Sequence, residues 1–523
     1  MNNNSYRMVY DSGSKLLKCA IADELGNVIA INSYEPEVLS SENGLQREWN
    51  YGNYWDKLVE LTKTTIKLAK INPKEIEYIS ASSIRPSCVF ADEDNNAVYI
   101  GASFELLGFD YAEEIEDEFY EATGKTFYES TGHFPSFLFI PARYRYFQEE
   151  KDSDNRIEQI TQYLPLESWI LVKFGGELHT NFSSAAESGF LDLTTKFWHP
   201  AWEDILDLPE FFLPWPVFSG EIIGMVDEKS QKEIGLSPDT KLVSGFPDTH
   251  AALLGCQNIE PTNITAVLGT TTPVQTIIEQ LIIPEEEQIW AGLFMIKNLS
   301  NNYYLETNTG MTGQILKWAA NLFYADENNT LTENFKLLDQ AYKEYDEFEA
   351  HATLSEIDNS RVYSLLGPAP LSNTQLKMAP GIFTFQSPGG VEEIKTHKNS
   401  FITAVFDNIQ FAVTKNIEIA KQIADLKNPQ ISIVGGAARN PVLVQRFSDL
   451  LNIPINTSKN FESTIQGMLT LCDIAAGGIE SLEDLQKRNQ DLNSVKNFTP
   501  RESMLKKLEK RYQNWLELFN RYY

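Results

Sequence analysis

A short strand, a turn of glycine and hydroxyl residues, and a returning strand occur twice in this chain. The first copy runs Tyr6 to Asp11, turns through Asp11-Ser12-Gly13-Ser14-Lys15, and returns over Leu16 to Ala22. The second runs Ile264 to Leu268, turns through Gly269-Thr270-Thr271-Thr272, and returns over Val274 to Ile278. Two equivalent hairpins so far apart point to a duplicated domain. Length agrees: 523 residues exceed one core, and roughly 150 residues per domain allows two to four. The halves divide near residue 255, into an N-terminal domain over 1–255 and a C-terminal domain over 256–523.

The elements around the first hairpin set the class. Asp23-Glu24-Leu25-Gly26-Asn27 turns the chain into a third strand, Val28 to Tyr34. Trp55 to Lys70 then places Leu58, Leu61, Thr65, Leu68 and Ala69 at helical spacing, and Ile76 to Ala81 reads as the next strand. Strands, then a helix, then a strand favour α/β over a sandwich or a bundle. Asp326 to Asn359 is acidic and polar, so we expect a solvated excursion holding a helix over Leu331 to Tyr345. At the end, Thr499-Pro500-Arg501-Glu502 predicts an N-cap, a proline at the first helical position and a glutamate at the third. Met504, Leu508, Tyr512, Trp515, Phe519 and Tyr522 then line one face of a closing helix.

Composition narrows the partners. Hydrophobic residues at 42% and aromatics at 12% are ample for packed cores. A net charge of −30 repels nucleic-acid phosphates and anionic membranes alike. Cys19, Cys88, Cys256 and Cys472 share neither metal-ligand nor redox-pair spacing, so no disulfide framework or zinc site is expected. Met1 to Tyr6 lacks the basic and apolar regions of a secretory signal, and no apolar run reaches about 18 residues. The expected setting is the cytoplasm.

The two turns carry the first chemical signal. A tight hairpin turn aims successive backbone N–H groups outward, which forms a cradle for anionic oxygens. Ser14 adds a hydroxyl donor, Lys15 or Lys18 adds charge, and Asp11 is placed to hold the magnesium that accompanies ATP, through water. An ordinary hairpin accounts for either turn alone. Equivalent turns in two similar halves, able to close on one nucleotide from both sides, do not fit that reading as well.

Asp248 is the second signal. It follows Gly245-Phe246-Pro247 and opens an alanine- and leucine-rich helical stretch. A helix N-cap explains an aspartate there, and so does a general base that takes a proton from a substrate hydroxyl. The helix dipole favours its ionised form in either role. His250 reads as a packed or surface histidine. The third signal, Ser432-Ile433-Val434-Gly435-Gly436-Ala437-Ala438-Arg439-Asn440-Pro441, is a strand, a glycine turn and a helix start. Its glycines permit close approach of a flat ring or a phosphate, while Asn440 is a ready cap for the helix opened by Pro441. The chain has neither the dinucleotide G-x-G-x-x-G fingerprint nor a Walker loop.

Taken in order, these segments resemble the FGGY family of carbohydrate kinases over nearly the whole chain. Asp11 to Ser14 resembles the family's first phosphate loop, Gly269 to Thr271 the second, and Gly435 to Asn440 the adenosine motif. Asn308-Thr309-Gly310 through Lys317-Trp318 and Glu462 through Gly467 also match, as do Thr131-Gly132, Ser183-Ser184-Ala185 and the run from Pro214 to Gly224. Ile79 to Arg85 is most similar to the branch that contains the autoinducer kinases.

The resemblance implies two actin-like ATPase (ribonuclease H-like) domains with a nucleotide and substrate cleft between them. It implies ATP and Mg2+ as cofactors and a small sugar or polyol as substrate, and it is compatible with a homodimer. By matched position, Asp248 is the base; Asp11, Ser12, Gly13, Ser14, Lys15, Gly269, Thr270, Thr271, Gly313, Lys317, Gly435, Gly436 and Asn440 serve the nucleotide. Arg85, Glu105, Asp248 and Thr249 serve the acceptor.

Three departures stand out. The usual acidic-x-arginine pair is here Glu105-Leu106-Leu107, without the arginine. Phe246-Pro247 replaces small glycines before the base, and Pro86 follows Arg85 where a polar sugar contact is usual. With Glu105 and Asp248 both facing the acceptor, a neutral sugar or polyol is expected in preference to a sugar acid. The competing reading, favoured by the lost arginine, is a non-catalytic actin-like nucleotide-binding regulator that has lost its kinase activity.

Overall fold

The computed structural model describes residues 5–522, apart from 42–43, 45, 102–104, 150–154, 327, 371–379, 387–395, 459–461 and 492–494. The first sheet begins with β1 (Tyr6–Ser12), β2 (Leu17–Asp23) and β3 (Val28–Tyr34), an antiparallel meander. Helix α1 (Tyr51–Ala69) crosses to β4 (Ile76–Ser83), which lies parallel to β1. Helix α2 (Leu166–Lys173) and strands β5 (Ile222–Met225) and β6 (Lys241–Pro247) complete the order β5-β6-β4-β1-β2-β3. β6 runs without a break into α3 (Asp248–Gly255).

The second sheet repeats the plan. β7 (Ile264–Val267) pairs antiparallel with β8 (Pro273–Ile278), and β9 (Trp290–Ile296) and β10 (Ser300–Asn308) extend that edge. Helices α4 (Thr312–Tyr324), α5 (Leu331–His351) and α6 (Lys398–Ile423) precede β11 (Ile431–Val434), which lies parallel to β7 as β4 does to β1. Then come α7 (Pro441–Leu451), β12 (Ile455–Ser458), α8 (Ser463–Ala475), β13 (Val495–Phe498) and α9 (Glu502–Tyr522). The sheet order is β9-β10-β8-β7-β11-β12-β13. In both halves a hairpin extended by further antiparallel strands is flanked by a strand parallel to its first member, so the duplication expected from the two hairpins is present.

β1 and β7 are the buried centres of their sheets, and their Met8-Val9-Tyr10 and Ile264-Thr265-Ala266 runs read as two-sided core strands. Each lobe has its own apolar core. A third core joins the lobes: Val9, Val243 and Phe246 pack with Leu253, Phe294, Ile465 and Leu469. At its centre α3 and α8 touch backbone to backbone. A Cβ on Gly255 would lie 1.9 Å from the Ser463 carbonyl oxygen, and one on Gly467 would lie 1.9 Å from that of Ala251. Nothing larger than glycine fits at either position.

Three local expectations are corrected. The acidic stretch is not a solvated excursion: Leu338, Ala341 and Tyr342 of α5 belong to the core of the second lobe. Its helix starts as a capping box, with Thr330 and Glu333 bonding each other's backbone N–H. Buried Asp346 and Glu349 of α5, with Asp407, surround the fully buried guanidinium of Arg446, and Arg511 of α9 adds its own bonds to Glu349 and Asp407. The closing helix begins at Glu502, so Pro500 lies outside it. Arg501 is tied by its N–H and guanidinium to Asp449, so this anchor fixes the entry rather than a Thr499 cap. Tyr522 is exposed while Met504, Leu508, Tyr512, Trp515 and Phe519 are buried, and Leu68 likewise faces solvent on α1.

Candidate active site

The ends of β1, β4, β6, β7 and β10 converge on a cavity of about 450 Å³ between the lobes. Ser14, Arg85, Asp248 and Thr249 line it from the first lobe; Gly269, Thr270, Thr271, Trp290, Glu306 and Asn308 line it from the second. A larger hollow of about 880 Å³ lies beneath Lys421, Asn428, Asn452 and Tyr512, away from both turns. Size does not mark the site here; the smaller cavity unites both turns with the carboxylate at the start of α3.

In the first turn Gly13 N–H closes onto Leu16 O, and the Ser12 hydroxyl turns inward to Tyr54 at 2.7 Å. Ser14 is therefore the member whose hydroxyl faces the cleft, where it lies 3.3 Å from the Thr270 hydroxyl. Lys15 is exposed. Lys18 is the cation at Asp11, 3.4 Å from its carboxylate and 2.8 Å from that of Glu462. Burial pushes the Asp11 carboxyl above its usual range, with Lys18 pulling it back.

The second turn is locked from behind. Gly313 N–H donates to Thr270 O at 3.0 Å, and a Cβ on Gly313 would stand 2.5 Å from Gly269 O. Gly313 thus positions the turn by close approach of α4. Lys317 is exposed further along α4. Gly435, at φ +94°, has a conformation that suits glycine, and a Cβ there would lie 2.7 Å from Leu268 O. A Cβ on Gly436 would meet nothing within 4 Å, so this glycine leaves an open face that a flat ring can cover. Asn440 caps α7 by accepting from Val442 and Leu443, and its amide donates to Asp339 at 2.7 Å.

Asp248 is the first residue of α3, with Pro247 in the cap position. Its Oδ1 accepts from the Thr249 N–H at 2.6 Å and hydroxyl at 3.1 Å. Burial raises its carboxyl to about 7; Arg85 opposes that rise and Asp11 adds to it. His250 behind it is a packed ring against Phe246, Phe294 and Tyr304, held neutral by burial, which lowers it to about 3.

Arg85 sits on the cavity floor with each edge of its guanidinium engaged. Nε donates to Thr249 Oγ1 at 3.2 Å, Nη1 to Glu187 at 2.6 Å, and Nη2 to Glu306 across the cleft. Tyr304 lies under it and donates its hydroxyl to Glu187, and Gln275 donates to Glu306. Glu187 and Glu306 escaped the motif reading. A charged residue in the apolar strand Tyr303-Tyr304-Leu305-Glu306 was the available signal. Glu105, in contrast, does not line the cavity: it is fully buried, accepts from Arg47 N–H at 3.1 Å, and burial lifts it to about 8 against the pull of Arg143. Leu107, in the place of the expected arginine, joins the apolar core around Phe90 and Phe119.

No ligand-holding cluster of three or more His, Cys, Asp or Glu occurs among the described residues. Asp11 still suits a hydrated divalent cation. Its buried carboxylate and that of Asp248 repel each other, and a divalent cation held there would relieve that repulsion. All four cysteines are free thiols, and no described helix is long and apolar enough to cross a membrane.

Residues 6–255 match the N-terminal domain of the FGGY family of carbohydrate kinases, and residues 264–476 match its C-terminal domain. An autoinducer-2 kinase of Escherichia coli (strain SMS-3-5 / SECEC) is 23% identical over 92% of this chain and 88% of its own. The gluconate kinase of Lactobacillus acidophilus superposes with a TM-score of 0.80 at 20% identity, over 99% of this chain and 98% of that one. Plasmodium falciparum glycerol kinase with ADP superposes with a TM-score of 0.79 at 16% identity, over 99% and 98%. The chain belongs to the FGGY family of carbohydrate kinases: it is an α/β protein of the actin-like ATPase fold and an ATP-dependent carbohydrate kinase.

Proposed function

We propose that the protein transfers the terminal phosphoryl group of ATP to a hydroxyl of a small sugar or polyol, with Asp248 as general base. The observation that carries this reading is the meeting of Asp248 with Ser14, Thr270 and Arg85 around one cavity. A carboxyl titrating at about 7 is matched to proton abstraction near neutral pH. In the transfer, the acceptor hydroxyl gives its proton to Asp248 as its oxygen bonds to the terminal phosphorus. The bond from that phosphorus to the bridging oxygen breaks, and ADP leaves with the electron pair.

The chain's own residues divide the work. Ser14 and Thr270 donate hydroxyl hydrogen bonds to the phosphoryl oxygens from opposite sides. Gly269 and Thr271 shape the turn, and the open face at Gly436 takes the adenine ring. Arg85 and Thr249 orient the acceptor. Magnesium, when present, neutralises phosphate charge, and Asp11 would hold it through water. We place the reaction in the cytoplasm and keep the domain division at 255/256. The non-catalytic reading is weakened by a base, two hydroxyl turns and an acceptor-sized cavity together in one place.

The test is ATP turnover stimulated by a panel of sugars and polyols, with autoinducer-2, the compound in the relatives' name, included. Stimulation above the basal rate by at least one of them is expected. A rate that no member of the panel raises would favour the non-catalytic reading.

A further inference from the structure

The cavity floor holds one cation among three carboxylates. Arg85 is the cation, and its guanidinium is claimed by Glu187 from its own lobe and by Glu306 from the other. Asp248 is the third, near enough for Arg85 to influence its ionisation. The Arg85 side chain is only 7% exposed, and Glu306 is fully buried yet borders the cavity. Arginine presents a planar fork that binds a carboxylate bidentately when the fork is free. Here the fork is filled before any substrate arrives.

Glu306 is held to that task. Gln275 donates to the same oxygen that meets Arg85, and the two residues are direct cross-strand partners on β8 and β10. Its second oxygen, Oε1, has no hydrogen-bond partner in the protein although it is buried. It is an unpartnered acceptor on a residue that borders the cavity, a feature suited to a hydroxyl and repulsive to an anion. Discrimination between related ligands commonly uses such a repulsive element.

We propose that Glu306 is a specificity-determining residue: by adding a second carboxylate to the Arg85–Glu187 pair from across the cleft it leaves the cavity floor net negative, so the acceptor site selects neutral polyhydroxyl compounds and rejects sugar acids. This rests on the carbohydrate-kinase reading of the same site. The preference expected from Glu105 in the sequence is thus supplied by a different carboxylate. Because Glu306 belongs to the nucleotide-binding lobe, the rejecting charge is in place only when the lobes are together.

The experiment compares wild type, Glu306→Gln and the double variant Glu306→Gln/Arg85→Gln. D-gluconate and xylitol binding are measured by calorimetry, and ATP turnover is followed over the same pair plus D-xylulose. The proposal expects gluconate to bind Glu306→Gln at least tenfold more tightly than wild type. The gain should shrink at high salt and vanish in the double variant. No gain, or a gain that survives loss of Arg85, overturns it. Binding needs no turnover, so a panel that leaves ATP hydrolysis unstimulated sinks the kinase reading while the binding contrast still decides this one. Should Glu306→Gln fail to fold, wild type alone decides: tighter gluconate than xylitol overturns the proposal, and the reverse supports it.

Discussion

The hydroxyls of Ser14 and Thr270 lie 3.3 Å apart, one on each lobe. Two donors this close, on turns that face each other, address one group rather than two. Thr270→Val and Ser14→Ala should each raise the apparent ATP constant with little change in apo melting temperature. Their effects should be coupled, since residues in contact typically show interaction energies of about 0.5–3 kcal/mol. Gly436→Leu should raise the same constant by filling the open face. Titration of ATP against the single and double variants reads this; strict additivity would show that the turns act on separate groups.

Replacing Asp248 with asparagine keeps the Oδ1 acceptor for Thr249 and removes only the capacity to take a proton. The fold and nucleotide binding should survive. Turnover should fall by about 10²–10⁴-fold, the usual contribution of a general base. Wild-type turnover in this variant would remove Asp248 from that role.

The pH profile follows from the same carboxyl. In the proposed role Asp248 acts in its ionised form, and burial places its titration at about 7. kcat/KM should therefore rise from pH 6 to 8 and fall on the acid side. The stability consequence has the opposite sign. A carboxyl whose folded value is raised binds a proton in the folded state first. Its contribution to apo stability is present at acid pH and is lost as pH rises to about 7. Initial rates and melting temperatures over one buffer series check both limbs.

The contact of α3 with α8 makes Gly467 sensitive. Gly467→Ala places a methyl 1.9 Å from the Ala251 carbonyl oxygen, so the helices must separate. Overpacking of this kind costs about 1–3 kcal/mol. Because α3 begins with Asp248, turnover should drop more than ATP affinity does. Urea unfolding together with steady-state kinetics separates the two effects.

Arg511 offers a purely structural prediction. Removing it leaves Glu349 and Asp407 buried with one guanidinium fewer. Arg511→Ala should destabilise the second lobe by about 3–5 kcal/mol, as breaking buried ion pairs does. Arg511 does not line the cavity, so kcat in the folded fraction should be unchanged.

These residues also show what could be read before folding. The paired hairpins, Asp248 and the Gly435-Gly436 turn carry local chemistry: glycine for unusual backbone, hydroxyls for anions, a carboxylate at a helix start. Such signals survive in one dimension. Glu306 is marked only as a charge in an apolar strand and Glu187 not at all, because cross-strand register and the meeting of two lobes are what bring them to Arg85. Glu105 misled for the converse reason: its position matched a pattern, but its own side chain is buried on Arg47 N–H beside the apolar core that takes Leu107, and only Leu106 between them borders the cavity. Asn440 had two compatible readings, and the geometry shows the cap; Gly313 was read only for the nucleotide, and the geometry shows it packed against the Gly269 turn. The acidity of the stretch around α5 pointed outward, yet Asp346 and Glu349 turn inward because Arg446 and Arg511 wait there.

The glycine contact between α3 and α8 has a mechanical consequence. Two backbones pressed together without side chains leave little room for sliding, so any relative motion of the lobes would be a swing about that point. Asp248 stands at the start of a helix gripped by this fulcrum, whereas the Gly269 turn stands out on the moving arm. Points near an axis travel less than points far from it. In the proposed reaction such a swing would bring the phosphoryl donor to an Asp248 that scarcely moves, and the acceptor would stay in register while the lobes open to exchange nucleotide.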